Sequence, residues 1–206
     1  ASFAVIGSMG LLLTSIALFT PAALSAALYY LLHSTIAGAV LFLIAEIVAR
    51  HRPGQDDTLS VAPGFAQQSL LAGAFFMAAI AATGMPPLSG FLGKLLVLDA
   101  ARESTQAVWM WSIILGTSLI AIIGFGRAGS TLFWKSTGET GSFVDSGKRH
   151  TLSFVAIGFL LSGTVALTVF AGPLTAYLDD TAEQIFATHH YIDAVLGTAS
   201  VNGGTH

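Results

Sequence analysis

The chain has 206 residues, of which 54% are hydrophobic and 9% charged, with a mean hydropathy of +0.77 and a net charge of −3. Soluble domains carry about 25% charged residues. The composition therefore excludes a soluble enzyme, and the acidic balance argues against nucleic acid as a partner. There is no cysteine, hence no disulfide frame, thiolate metal site or redox thiol. His189 and His190 are adjacent and lack metal-ligand spacing. No nucleophile, metal or phosphate-cradle motif appears, so no catalytic residue, metal or cofactor is expected.

A bilayer core takes about 20 apolar residues in a helix, and five stretches meet or approach that. The expectation is an all-α membrane protein of five transmembrane helices. Span A covers Ser2–Phe19 and holds no charge; Thr20-Pro21 ends it. Its start has no basic region and does not read as a signal peptide; it resembles the middle of a longer polypeptide. Span B covers Ala22–Ala49. Span C runs from Gln68 to about Ala101 and is interrupted at Gly84-Met85-Pro86-Pro87. Span D covers Val108–Gly126, opened by Trp109 and Trp111 as an aromatic anchor. Span E covers Leu152–Leu178. Residues 1–180 thus form the transmembrane domain. Thr181–His206 is too polar to span. Ile185, Phe186, Ile192 and Leu196 fit an interfacial turn or two, and Val201-Asn202-Gly203-Gly204 reads as disordered.

Charge decides how span C is counted. As one crossing, it leaves Arg50, Arg52, Arg127, Lys135, Lys148 and Arg149 on one side and only Arg102 on the other. That bias is what the positive-inside rule requires. Two crossings would destroy it, and the part after the prolines is short for a crossing of its own. Span C is therefore one helix broken at Pro86-Pro87. The N-terminus and the B–C and D–E loops are placed in the cytoplasm, and the acidic tail with Asp179, Asp180 and Glu183 outside.

Lys94 is the most informative position. A lysine at mid-membrane costs ~2.5–3.5 kcal/mol, while each Leu, Phe or Val returns ~0.3–0.6. The apolar neighbours from Leu88 to Leu98 only about cancel that cost. Such a residue belongs against partners or water, where it works; the plainer alternative is an amine snorkelling to the headgroups near Arg102. Upstream, Pro86 and Pro87 remove two N–H donors and free carbonyls in the preceding turn. In a bilayer those carbonyls must face protein or a watery cavity. Gly84 and Gly90 belong to this break, and Gly90 and Gly93 allow close packing around the lysine.

His33, deep in span B, shares a face with Tyr29 at i,i+4 and is followed by Ser34. It is either a proton relay or a neutral histidine bonded to a neighbouring helix; the residues alone leave both open. Glu46 and Arg50 read as a helix-end ion pair. Asp99 pairs with Arg102 or Arg50, and Arg127 is an interface anchor or a lipid or subunit contact.

The segment Ala82-Thr83-Gly84-Met85-Pro86-Pro87-Leu88-Ser89-Gly90-Phe91-Leu92-Gly93-Lys94 resembles the broken-helix motif of antiporter-like subunits, which occur in respiratory complex I and in Mrp-type multisubunit Na+/H+ antiporters. The stretch from Leu28 through His33-Ser34-Thr35 to Glu46 looks like the histidine helix of the D-type subunits of Mrp and Pha antiporters. Arg127-Ala128-Gly129-Ser130-Thr131-Leu132-Phe133-Trp134 fits the same family. The resemblance implies the later part of a subunit built from two inverted repeats, in a bacterial plasma membrane, among other subunits of a hetero-oligomeric complex. It implies that Lys94 holds a proton in a hydrated midplane chain, that His33 relays it, with Ser34 and Tyr29 along the path, and that protons and Na+ or K+ are the ions moved. Two positions depart from the family: Gly38 and Ser8 stand where many relatives carry a lysine and a histidine. The family's driving glutamate–lysine pair is absent from these residues, so the 206 residues alone are not expected to transport.

The alternatives are a proton-pumping subunit of an NADH dehydrogenase or membrane hydrogenase, and a structural membrane subunit that only packs against partners. A dry Lys94 locked to a carboxylate would favour the second.

Overall fold

A computed structural model describes residues 1–50, 67–134 and 151–187. The expectations for Arg52, Lys135, Lys148, Arg149, His189, His190, Ile192, Leu196 and the 201–204 stretch lie outside the described residues. Among the described residues every regular element is helical. They are α1 (Ser2–Ile16), α2 (Pro21–Arg50), α3 (Gln68–Thr83), α4 (Ser89–Ala100), α5 (Ala107–Gly129) running into a π-helical turn (Ser130–Trp134), α6 (Thr151–Val169) and α7 (Ala171–Phe186).

Three helical stretches are long and apolar enough to cross a membrane: Pro21–Arg50, Ala107–Trp134 and Leu152–Val169. Span A forms a helix of 15 residues, and spans C and E are each divided between two helices. Large side chains such as Phe3, Ile6, Val108, Ile113, Ile120 and Phe159 face outward. That is the surface expected of a chain solvated by lipid or by neighbouring subunits.

α2 is the central column. Its N-terminus follows from Thr20-Pro21. Thr20 Oγ1 accepts the Ala23 N–H at 3.2 Å, and Pro21 sits where a helix does not need its missing donor. Helix α1 returns along α2 in the opposite direction: Ser15 Oγ donates to the Ala23 carbonyl at 2.8 Å, and Tyr30 Oη meets Ser8 Oγ at 3.4 Å.

Helices α3 and α4 run one after the other along α2 without reversing. Leu71, Phe75 and Ala78 of α3 share a core with Val40, Leu41, Ile44 and Ile47. Beyond the break, Ser89 bonds His33. Gly93 lies on Tyr30, where a Cβ would approach the ring at 2.9 Å. Val97 and Leu98 reach Ala26 and Ala27. Residues 89, 93 and 97, four apart, form the stripe of α4 that faces α2.

Gln68 Nε2 donates to the Phe133 carbonyl at 2.9 Å. The start of α3, beside the end of α2, therefore meets the π-helical turn that follows α5. Arg50 and Arg127 end up at the same end of the bundle, and Arg102, after α4, at the other. The charge bias read from the sequence requires this grouping of the three residues.

Span E differs from its expected form. It breaks at Phe170, and α7 continues to Phe186, past Leu178. The polarity of Asp179, Asp180 and Glu183 hides a second periodicity. Leu178 and Ala182 are buried, and the Phe186 ring packs edge-on to Phe19 at 5.2 Å, while the three acids are exposed. The segment is an amphipathic helix docked on the bundle.

Close approach of α4 to α2 depends on the missing side chain at position 93. Gly93→Val should destabilise the bundle by about 1–3 kcal/mol through overpacking against Tyr30, read as a lowered thermal transition in detergent.

Candidate functional site at the helix break

Helix α3 ends because Gly84 adopts φ +75. The left-handed turn lets the Gly84 N–H reach the Ala81 carbonyl at 3.2 Å and the Met85 N–H reach the Ile80 carbonyl at 3.1 Å, a common glycine C-cap. The next two donors in sequence would be those of Pro86 and Pro87, which have none. The Ala82 and Thr83 carbonyls are thus deprived of their helical partners.

Lys94 fills part of that deficit. Its Nζ donates to the Thr83 carbonyl at 2.6 Å and to Ser118 Oγ of α5 at 2.8 Å. Hydrogen bonds to a charged group contribute ~1.5–3 kcal/mol each, so the two offset an insertion cost of ~2.5–3.5 kcal/mol. The amine therefore stays at the break, and its stem turns back along α4 rather than out to the headgroups. Both partners are neutral. Among the described residues no carboxylate pairs with Lys94. Gly84 makes room for it: a Cβ there would lie 2.6 Å from Lys94 Cδ and 3.1 Å from Nζ.

His33 is 1% exposed and sits on the same last turn of α3. Its Nδ1 lies 2.8 Å from Ser89 Oγ, and the ring lies near the Ala81 carbonyl. The Nε2 edge faces that carbonyl across Gly90, where a Cβ would collide with the Ala81 oxygen and lie 2.8 Å from Nε2. Only glycine allows this approach. The Tyr30 ring lies against the imidazole, centroid to centroid 5.8 Å.

The two titratable side chains thus converge on one interrupted turn, His33 at the Ala81 carbonyl and Lys94 at the Thr83 carbonyl. Of the other singled-out residues, Tyr29 is fully buried, but its hydroxyl donates to the Leu167 carbonyl of α6 at 3.0 Å. Ser34 Oγ turns back to the Leu31 carbonyl at 3.2 Å. Pro86 and Pro87 are exposed. Glu46 pairs with Arg50, and Asp99 lies 3.7 Å from Arg102, both on exposed side chains; Arg127 is exposed near the end of α5. Neither Glu46, Asp99 nor Arg127 meets Lys94 or His33.

Sequence reasoning missed Ser89, Ser118, Tyr30 and the Thr83 carbonyl. Ser118 carried a faint signal, as one of the few hydroxyls within span D. Ser89 carried none apart from its place directly after the break.

The fold and the site together define a helical membrane protein with a lysine drawn into a broken helix. The chain belongs to the NADH:quinone oxidoreductase/Mrp antiporter transmembrane family, whose model matches residues 2–122. It is 27% identical over 95% of its length to the D component of a probable K+/H+ antiporter of Rhizobium meliloti, covering 41% of that protein. It is 30% identical over 93% of its length to the D component of the Na+/H+ antiporter of Bacillus subtilis, covering 38% of it. It is also similar to an N-type component of the NADH-quinone oxidoreductase of Streptomyces griseus, at 27% over 89% of this chain and 32% of that one. The chain spans well under half the length of each of these relatives.

Gly84→Ala should cost about 1–2 kcal/mol from the left-handed backbone alone, and more from collision with Lys94. Thermal unfolding of Gly84→Ala beside Gly84→Asn, which tolerates that backbone region better, separates the two contributions.

Proposed function

We propose that this chain is the later part of a proton-translocating membrane subunit in a multisubunit monovalent cation/H+ antiporter, exchanging Na+ or K+ for H+. The observation that carries this reading is the Lys94 amine, held at a helix break by a carbonyl and a hydroxyl. A carboxylate there would bind the charged form and hold it. Neutral partners leave the amine able to lose and regain a proton. Two of its three ammonium hydrogens are taken by described residues, and the third is the one offered to water.

Lys94 then acts as the proton-holding site and His33 as the relay beside it, the two joined through the last turn of α3. Membership of the family and similarity to D-type antiporter components support this reading. So does the grouping of Arg50 and Arg127 at one bundle end, which fits five crossings: α1, α2, α3–α4, α5, and α6–α7. On this reading the N-terminus and the arginine-bearing end lie in the cytoplasm of a bacterial cell and the tail lies outside. The subunit works among partner subunits in the bilayer and binds no nucleic acid.

The similarity to an N-type component of an NADH-quinone oxidoreductase favours a second reading, a proton-pumping subunit of a respiratory complex. The same two residues would carry the proton there. A purely structural subunit is the weakest reading, because no carboxylate locks Lys94 among the described residues.

Lys94→Ala in the full complex should abolish antiport in inside-out vesicles, measured as cation-dependent collapse of a pH gradient, while the complex still assembles. Normal exchange in that variant removes Lys94 from the mechanism.

A further inference from the structure

We propose that Ser89 is the residue through which His33 gains and loses its proton, and that it fixes the tautomer this requires. The inference rests on His33 being a relay, and it deepens that reading by naming the donor.

The geometry is closed on both sides of the ring. The Nε2 edge lies beside the Ala81 carbonyl at Gly90; a carbonyl oxygen only accepts, so the proposal places the ring hydrogen on Nε2. A neutral imidazole has one N–H; Nδ1 is then a bare acceptor, and Ser89 Oγ donates to it across 2.8 Å. Both side chains are almost completely buried, Ser89 at 0% and His33 at 1% exposure. The one nitrogen able to take up a proton is therefore covered by the Ser89 hydroxyl.

A protonated water delivers a proton to Ser89 Oγ. The serine's own O–H bond breaks, its hydrogen passes to Nδ1, and a new N–H bond forms. Serine is left neutral and the imidazole becomes a cation. In the charged state Nδ1–H donates to Ser89 Oγ and Nε2–H still faces Ala81, so both nitrogens keep a partner in both states. A hydroxyl can reverse its role in this way because it donates one hydrogen and accepts through two lone pairs. The charged and titratable groups near the ring are Lys94 on α4, whose amine is engaged with the Thr83 carbonyl and Ser118, and Tyr30 on α2, whose hydroxyl is engaged with Ser8 at 3.4 Å. Neither covers Nδ1.

Position 89 is also where a hydroxyl is least committed elsewhere. It is the first residue of α4, and its neighbour Gly90 brings the start of that helix against Ala81. The break therefore places the helix start, and with it the hydroxyl, on the histidine.

The test uses the intact assembled complex in lipid vesicles, with 15N-labelled histidine and the His33 signal identified by its loss in His33→Gln. The wild type should show a neutral imidazole with its hydrogen on Nε2. Ser89→Ala should lose that single tautomer and lower antiport by roughly 10²-fold, the scale of a positioned proton-transfer group. Ser89→Cys, similar in size but a weak donor, should behave like Ala, whereas Ser89→Thr should recover the tautomer and most of the rate. A wild-type ring protonated on Nδ1, or unchanged antiport in Ser89→Ala, overturns the proposal. Failure of the relay reading is distinguishable: His33→Gln would then exchange ions normally whatever Ser89 does.

Discussion

Backbone carbonyls inside a membrane cannot be left without partners, and two consecutive prolines remove the donors that would have served Ala82 and Thr83. That single constraint organises the site. The bilayer supplies no water to the freed oxygens, so side chains must come to them. Lys94 comes from the second turn of α4 to the Thr83 carbonyl, and His33 of α2 lies beside the same last turn of α3, near the Ala81 carbonyl that already accepts the Gly84 N–H. The break thus brings Lys94 to the turn beside which His33 lies, and the proposed proton path rests on that juxtaposition.

The same constraint explains the glycines around it. Gly84 turns the chain at φ +75 and makes space for the lysine stem. Gly90 lets the start of α4 press against the end of α3 beside His33, and Gly93 lets α4 lie on Tyr30. A side chain at any of the three would separate the parts that the prolines bring together. The central column α2 is the rigid surface on which this is built. It contacts α1, α3, α4, α6 and α7, so the position of His33 is fixed by most of the fold.

Much of this could be read from the residues. Lys94 stood out because an amine among apolar neighbours is costly, and Pro86-Pro87 because the lost donors are countable. The Glu46–Arg50 pair followed from i,i+4 spacing. The interruption of span C followed from Gly84-Met85-Pro86-Pro87, and α3 and α4 divide there. Harder to read were features set by tertiary contact. The direction of the Tyr29 hydroxyl, toward α6 rather than toward His33, depends on a helix far away in sequence. The extension of α7 to Phe186 was masked by three acids on its outer face. The neutral partners of Lys94 were missed because one is a backbone carbonyl, which no side-chain pattern reveals.

The most direct measurement is the through-space dipolar coupling between 15Nζ of Lys94 and the carbonyl 13C of Thr83, by solid-state NMR on the complex in lipid. A strong coupling is expected, because the amine and that carbonyl oxygen are 2.6 Å apart. Absence of coupling, with the Lys94 amine instead close to lipid phosphate, would contradict the account.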